Sequence, residues 1–207
     1  MVTPSIVLEA RGLHKRLGGR PVLAGVDLQV RRGEIVGVCG ENGSGKTTLI
    51  RILAGLLAAD RSEIWRRGTL GYSPQLPLLY EQLTVWEHFR YVAVARGLAR
   101  SEWEQRAEVL VERYRFSQWR AQLVATLSGG TRQKLNLALA LLANPEVLLL
   151  DEPYGGFEWE TYLRFWEHVR ELRAAGRSVL IISHLFYDRA DLDRALVLHD
   201  GQLRENA

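Results

Sequence analysis

Gly40-Glu41-Asn42-Gly43-Ser44-Gly45-Lys46-Thr47 places its glycines, lysine and hydroxyl at the spacing of a phosphate-binding loop. The flanks give the context such a loop requires: a strand-like run from Glu34 to Cys39 before it and a helical run from Thr47 to Ala59 after it. Gly40, Gly43 and Gly45 let successive backbone N–H groups turn toward phosphate oxygens at the positive end of the following helix. Lys46 supplies a mobile cation for the outer phosphates, and the Thr47 hydroxyl suits the magnesium ion that screens them. Asn42, Ser44 and Thr48 complete the nucleotide-facing set.

Two acids supply the second half of that chemistry. Asp151 ends the apolar run Val147 to Leu150, where a carboxylate opposite a phosphate loop can hold magnesium. Its neighbour Glu152 points elsewhere and is the candidate base for a water attacking the γ-phosphate. A second anion site is expected at Ser128-Gly129-Gly130, where a hydroxyl and free N–H groups open the apolar helix Arg132 to Ala143.

Hydrophobic periodicity shows which elements must position these groups. Glu34 to Cys39, Val147 to Leu150 and Ser178 to Ile182 are short, nearly continuous apolar runs separated by helical segments, as in parallel strands covered on both faces. Open parallel sheets bind ligands at the carboxyl ends of their strands, so Gly40, Asp151 and His184 are expected to meet in one crevice. Val26, Leu28 and Val30 alternate with polar residues, predicting an antiparallel N-terminal pair with Ile6 to Glu9 as neighbour. Between Gln75 and Ser128 the period becomes helical, and Thr84 with Glu87 and Ser101 with Glu104 have capping-box spacing. The helix Trp159 to Ala174 carries Tyr162, Leu163, Trp166, Val169 and Leu172 on its core face, and Asp200-Gly201 predicts a tight C-terminal hairpin.

Composition narrows the class. The 207 residues fit one domain, 47% are apolar, and the net charge is only +3. Basic residues are dispersed with no run longer than Arg31-Arg32 or Arg66-Arg67, so no nucleic-acid partner is expected. Cys39 stands alone and is expected to be a small buried strand residue, which excludes a disulfide framework. No apolar leader opens the chain, and no apolar run approaches the roughly 18 residues of a membrane span.

The ordered set of phosphate loop, Gln75, Leu127-Ser128-Gly129-Gly130, Leu150-Asp151-Glu152-Pro153 and Ser183-His184 resembles the nucleotide-binding domain of an ATP-binding cassette (ABC) ATPase, from about Val7 to Leu203. The resemblance implies an α/β fold: a P-loop NTPase core with a mostly parallel sheet, an N-terminal antiparallel β subdomain and a helical subdomain inserted at about 76–130 in the single domain 1–207. It implies ATP and Mg2+ as ligands, with Thr47, Gln75 and Asp151 around the metal. It further implies that Ser128 to Gly130 reach the γ-phosphate on a partner subunit, so that two copies enclose two ATP molecules. His184 would contact the γ-phosphate, and Lys46, Gln75, Glu152 and His184 would form the catalytic set. The implied activity is ATP hydrolysis by a transporter subunit of exporter type. It would sit on the cytoplasmic face of the membrane through a separate permease subunit. The alternative is a soluble ABC ATPase of DNA repair or translation. Four departures qualify the match: Leu17 where an aromatic usually stacks on adenine, Thr131 for a glutamine, Phe157-Glu158 for Leu-Asp, and a short stretch Ala58 to Leu70 for the antiparallel arm.

Overall fold

Alternating apolar residues in the first thirty positions build two long strands, β1 (Ile6–Leu17) and β2 (Arg20–Arg31), turned by Gly18-Gly19 at positive φ. The computed structural model describes residues 5–184 and 190–205. The continuous apolar run becomes β3 (Ile35–Cys39), which leads through the phosphate loop into α1 (Lys46–Leu53). This helix stops short of Ala59 because Gly55 takes a left-handed φ of 78° and the N–H groups of Leu56 and Leu57 turn back to the Arg51 carbonyl. The next strand, β4 (Arg61–Arg66), pairs with the free edge of β1, so the short arm still forms a three-stranded antiparallel sheet in the order β2-β1-β4.

The second sheet holds the chemistry. It contains β5 (Leu70–Ser73), then, after three helices, β6 (Val147–Asp151), β7 (Ser178–Ile182), β8 (Arg194–His199) and β9 (Gln202–Glu205). The strand order is β5-β6-β7-β3-β8-β9, parallel except for the last pair. The Asp200-Gly201 turn has both residues at positive φ, as a tight two-residue hairpin requires.

Burial explains why the inner strands read as unbroken apolar runs. Leu148, Leu150, Val179 and Ile181 face the helical side, whereas Val147, Leu149, Leu180 and Ile182 face α1 and the antiparallel sheet. The helices are α2 (Val85–Ala95), α3 (Arg100–Arg113), α4 (Gly129–Leu141) and α5 (Trp159–Ala174), with short 3-10 turns at Ser117–Trp119 and Val124–Thr126. Thr84 and Glu87 form the expected capping box of α2. Ser101 does not cap α3: the chain is extended at Ala99, the helix begins at Arg100, and Glu104 pairs with Arg100 at 2.9 Å instead. On α5 the core face includes Phe165, while Leu163 is 48% exposed, contrary to its expected place. Cys39 is half-buried, its thiol directed to the Leu196 carbonyl, because the strand ends there at the open loop.

A polar contact ties two helices, α3 and α5, to each other. Tyr114, buried at the end of α3, shares a hydrogen bond of 2.9 Å with His168 Nδ1 on α5. Burial, with help from the Arg113 charge and against that of Glu171, pushes the His168 pKa down from 6.5 to about 4. The unfolded chain therefore takes up this proton near pH 6.5 and the folded chain only near 4. Stability from the neutral imidazole is complete above 6.5 and is lost as the pH falls toward 4, by about 3 kcal/mol in total at about 1.4 kcal/mol per unit. Urea titrations at pH 7 and pH 5 should show the native chain losing about 2 kcal/mol more than His168→Gln, which keeps an acceptor for Tyr114 but does not titrate. Equal losses in the two proteins would place the acid sensitivity elsewhere.

Candidate functional site

The parallel neighbours β5, β6, β7 and β3 end side by side, and each expected polar group lies within two residues of such an end. Gln75 follows β5, Asp151 closes β6 with Glu152 next, Ser183-His184 follow β7, and Gly40 follows β3.

Two glycines of the phosphate loop, Gly40 and Gly45, leave no room for a Cβ. A Cβ on Gly40 would lie 2.4 Å from the Leu198 carbonyl oxygen, and one on Gly45 would lie 2.9 Å from Val22 Cγ1. Thus β8 and β2 press on the loop from two directions. Lys46 is buried and folds back over it, donating to the carbonyls of Gly40 at 2.7 Å and Glu41 at 2.8 Å. These bonds hold the ammonium above the loop, and no ion pair closes on it among the described residues.

Asn42, Gly43, Gly45, Lys46, Thr47 and Thr48 line a cleft of about 290 Å³ together with Gln75, Asp151 and Glu152, and with Leu17 and Val22 at its apolar end. Gly40 sits beneath the loop, and Ser44 lines an adjoining recess with His199, Asp200 and Gly201. Gln75 is exposed in the cleft wall.

Asp151 is 1% exposed, and neither of its carboxylate oxygens has a hydrogen-bond partner. Burial raises its pKa; the Glu152 charge adds to the rise, while the Thr47 hydroxyl and the Lys46 ammonium oppose it. The Thr47 hydroxyl is thus close enough to favour the charged form without completing a regular hydrogen bond. An orphaned buried carboxylate beside a hydroxyl is a hard-oxygen donor pair, which fits magnesium completed by phosphate and water oxygens. No cluster of three or more His, Cys, Asp or Glu that could hold a metal ion occurs among the described residues. Tyr72, half-buried nearby, is pushed up to about 12 by burial and by the Asp151 charge, so it stays neutral.

Glu152 is held differently. Its backbone is left-handed at φ 48°, a conformation that costs a residue with a side chain about 1–3 kcal/mol. Its N–H donates to the Ile182 carbonyl at 2.9 Å, and its own carbonyl accepts from Gln133 Nε2 at 3.3 Å. One carboxylate oxygen accepts the His184 N–H at 2.7 Å and lies 3.0 Å from His184 Nδ1; the other accepts the Ser183 hydroxyl at 3.1 Å. His184 therefore reaches the cleft through Glu152, since it does not line it directly.

Ser128, Gly129 and Gly130 are not in this cleft. Ser128 caps α4 by accepting the Thr131 N–H at 3.2 Å, and Ser128 and Gly129 face solvent. Besides Ser183 of the Ser183-His184 pair, two groups that spacing did not single out also build the site: Gln133, and Asn136, whose Nδ2 donates to the Ser73 hydroxyl and the Pro74 carbonyl just before Gln75. A sequence signal for the last two exists. They are amides three residues apart in a helix whose second half, from Leu135, is apolar but for Asn136.

A family model described as ABC transporter matches residues 23–155. Among curated proteins, the chain is 34% identical over 187 residues to "Uncharacterized ABC transporter ATP-binding protein YthP" of Bacillus subtilis, covering 89% of this chain and 79% of the relative. It is likewise 34% identical over 214 residues to "Lipopolysaccharide export system ATP-binding protein LptB" of Acidithiobacillus ferridurans, covering 96% and 89%. A solved structure described as "Structure of ATP binding subunit of ABC transporter" superposes with a TM-score of 0.90 at 31% identity, covering 97% of this chain and 90% of that one.

Because Asp151 is buried without a partner, its charge costs stability until a cation arrives. Asp151→Asn should raise the thermal midpoint of the ligand-free protein by about 2–4 °C, equivalent to about 1 kcal/mol in a chain of this size. The extra stabilisation that magnesium adds to a bound non-hydrolysable triphosphate should vanish in the same variant. A lowered ligand-free midpoint, or an undiminished magnesium response, would remove Asp151 from the metal site.

Proposed function

The chain belongs to the ABC transporter ATP-binding family, and on that premise we propose that it is the ATP-hydrolysing subunit of an exporter, working as a dimer on a separate membrane-spanning subunit. The family hydrolyses ATP; the residue roles, the exporter direction and the assembly are the proposal. Among the described residues no helix is long and apolar enough to cross a membrane; membership of the transporter family supports a permease on another chain and a peripheral position at the cytoplasmic face. The relative whose name assigns it to lipopolysaccharide export supports the exporter direction.

The single observation that carries the reading is the separation of the two anion sites. The phosphate loop, Asp151 and Glu152 share one cleft, while Ser128 to Gly130 start α4 outside it, with Ser128 and Gly129 facing solvent. A second copy placed head to tail would bring its Ser128 to Gly130 over that cleft and enclose the γ-phosphate.

The loop N–H groups bind the phosphates, and Lys46 exchanges its two carbonyl acceptors for phosphate oxygens, a shift toward stronger charge-assisted bonds. Thr47 and Asp151 hold magnesium, with Gln75 beside them. When bound, the ion neutralises charge on the triphosphate. Glu152 takes the proton of the attacking water as its oxygen bonds the γ-phosphorus, and the bridging oxygen leaves on ADP. For that step Glu152 must loosen its hold on Ser183 and His184, and His184 is then free to donate to the γ-phosphate.

Glu152→Gln should abolish turnover yet retain ATP and favour a stable dimer in analytical ultracentrifugation, whereas Lys46→Ala should weaken ATP binding itself. Full steady-state hydrolysis by the Glu152→Gln protein, or a strictly monomeric state with saturating ATP and magnesium, would overturn the base assignment or the dimer respectively.

Nucleotide selectivity follows from the apolar end of the cleft, where Leu17, 45% exposed, and Val22 stand without an aromatic ring. Base–aromatic stacking is worth about 1–3 kcal/mol, a factor of about 5 to 150 in affinity. GTP should therefore compete with ATP within about tenfold, and Leu17→Tyr should tighten both. Titrating each nucleotide into the Glu152→Gln protein checks this; an ATP preference above about a hundredfold would mean that another residue reads the base.

A further inference from the structure

Successive turns of α4 touch the two loops that carry Gln75 and Glu152. At the first turn, a Cβ on Gly130 would lie 2.7 Å from the Gly156 carbonyl oxygen, so the loop after Pro153 rests directly on the helix backbone. One turn on, Gln133 is 4% exposed and its Nε2 lies 3.3 Å from both the Glu152 and the Pro153 carbonyl oxygens. After another turn Asn136, 6% exposed, donates to the Ser73 hydroxyl at 2.9 Å and the Pro74 carbonyl at 2.7 Å. The start of the same helix is the solvent-facing Ser128-Gly129 cap.

We infer that Gln133 and Asn136 are positioning residues that make α4 a strut, coupling an anion bound at Ser128 to Gly130 to the placement of Glu152 and Gln75 in the same chain. The inference rests on the roles proposed above for those two residues. Burial of both amides requires acceptors, and all the acceptors are backbone or hydroxyl oxygens of the two loops. Gln133 acts where the backbone is strained: it donates to the carbonyl of the left-handed Glu152, which also accepts the Gly155 N–H at 3.3 Å, so a movement of α4 is delivered to that strained turn. Asn136 does the same two residues before Gln75. Neither side chain lines the phosphate cleft, so nucleotide affinity need not depend on them.

The test measures kcat and nucleotide Kd separately in Gln133→Leu, Asn136→Leu and Gln133→Glu, with Glu152→Gln and the native chain alongside. The leucine variants should lose at least about tenfold in kcat while the Kd for ATP stays within about threefold, the pattern of an interaction used only in the transition state. Gln133→Glu keeps the shape but can donate only when protonated, so its activity relative to the native chain should rise as the pH is lowered from 8 to 6. That ratio remains informative if the leucine variants fold poorly. A folded Gln133→Leu protein with kcat within about twofold of native, or a Gln133→Glu ratio that does not change with pH, overturns the inference. Active Glu152→Gln would instead strike the underlying reading. Inactive Glu152→Gln beside unimpaired Gln133→Leu would sink the strut alone.

Discussion

Parallel pairing of β5, β6, β7 and β3 is the constraint on which the site depends. In parallel ladders the strands run in one direction, so Ser73, Asp151, Ile182 and Cys39 finish along a common rim. Residues just beyond that rim meet without long loops to carry them. Glu152 and His184 come within 3.0 Å because β6 and β7 are direct neighbours in register, with Asp151 opposite Ile182. A sheet with another strand between these two would separate the carboxylate from the imidazole by a further strand spacing of about 4.8 Å, beyond hydrogen-bond reach.

Stability is given up at this rim and recovered behind it. Asp151 is a buried, unpartnered carboxylate, Glu152 occupies a left-handed backbone conformation, and Gly40 and Gly45 accept approaches that exclude a Cβ. Each of these features is unfavourable alone. They persist because the strands that end in them are fully buried on both faces, between the helical layer on one side and α1 with the antiparallel sheet on the other. The rigid sheet therefore fixes polar groups that would relax apart if they hung from flexible segments.

The antiparallel sheet also takes part in the site, although the residues it places in the cleft, Leu17 and Val22, carry no reactive group. Val22 of β2 touches Gly45 and lines the cleft, and Ala24 donates its N–H to the Gly201 carbonyl in the C-terminal hairpin at 2.8 Å. The hairpin in turn brings the Leu198 carbonyl against Gly40. Segments from both ends of the chain thus clamp the phosphate loop from outside the parallel core.

Much of the site was legible because its chemistry is local. A loop that cradles phosphate needs glycines, a lysine and a hydroxyl within eight residues, and the strand before it and helix after it follow from apolar period; the same holds for the Thr84–Glu87 box, the extent of α5 and the Asp200-Gly201 hairpin. Two misses were decided locally, since α1 stops at the Gly55 turn and α3 starts before Ser101, whereas packing decided the third, with Leu163 facing out while Phe165 fills the core. The Glu152 clasp by Ser183 and His184, and the amides of Gln133 and Asn136 on two separate loops, could not be read from spacing at all. Their partners lie 19 to 63 residues away in sequence. Which of those distant groups meet is decided by strand order and by the helix face turned inward, because a hydrogen bond reaches only about 3 Å and only the packed sheet brings remote segments that close.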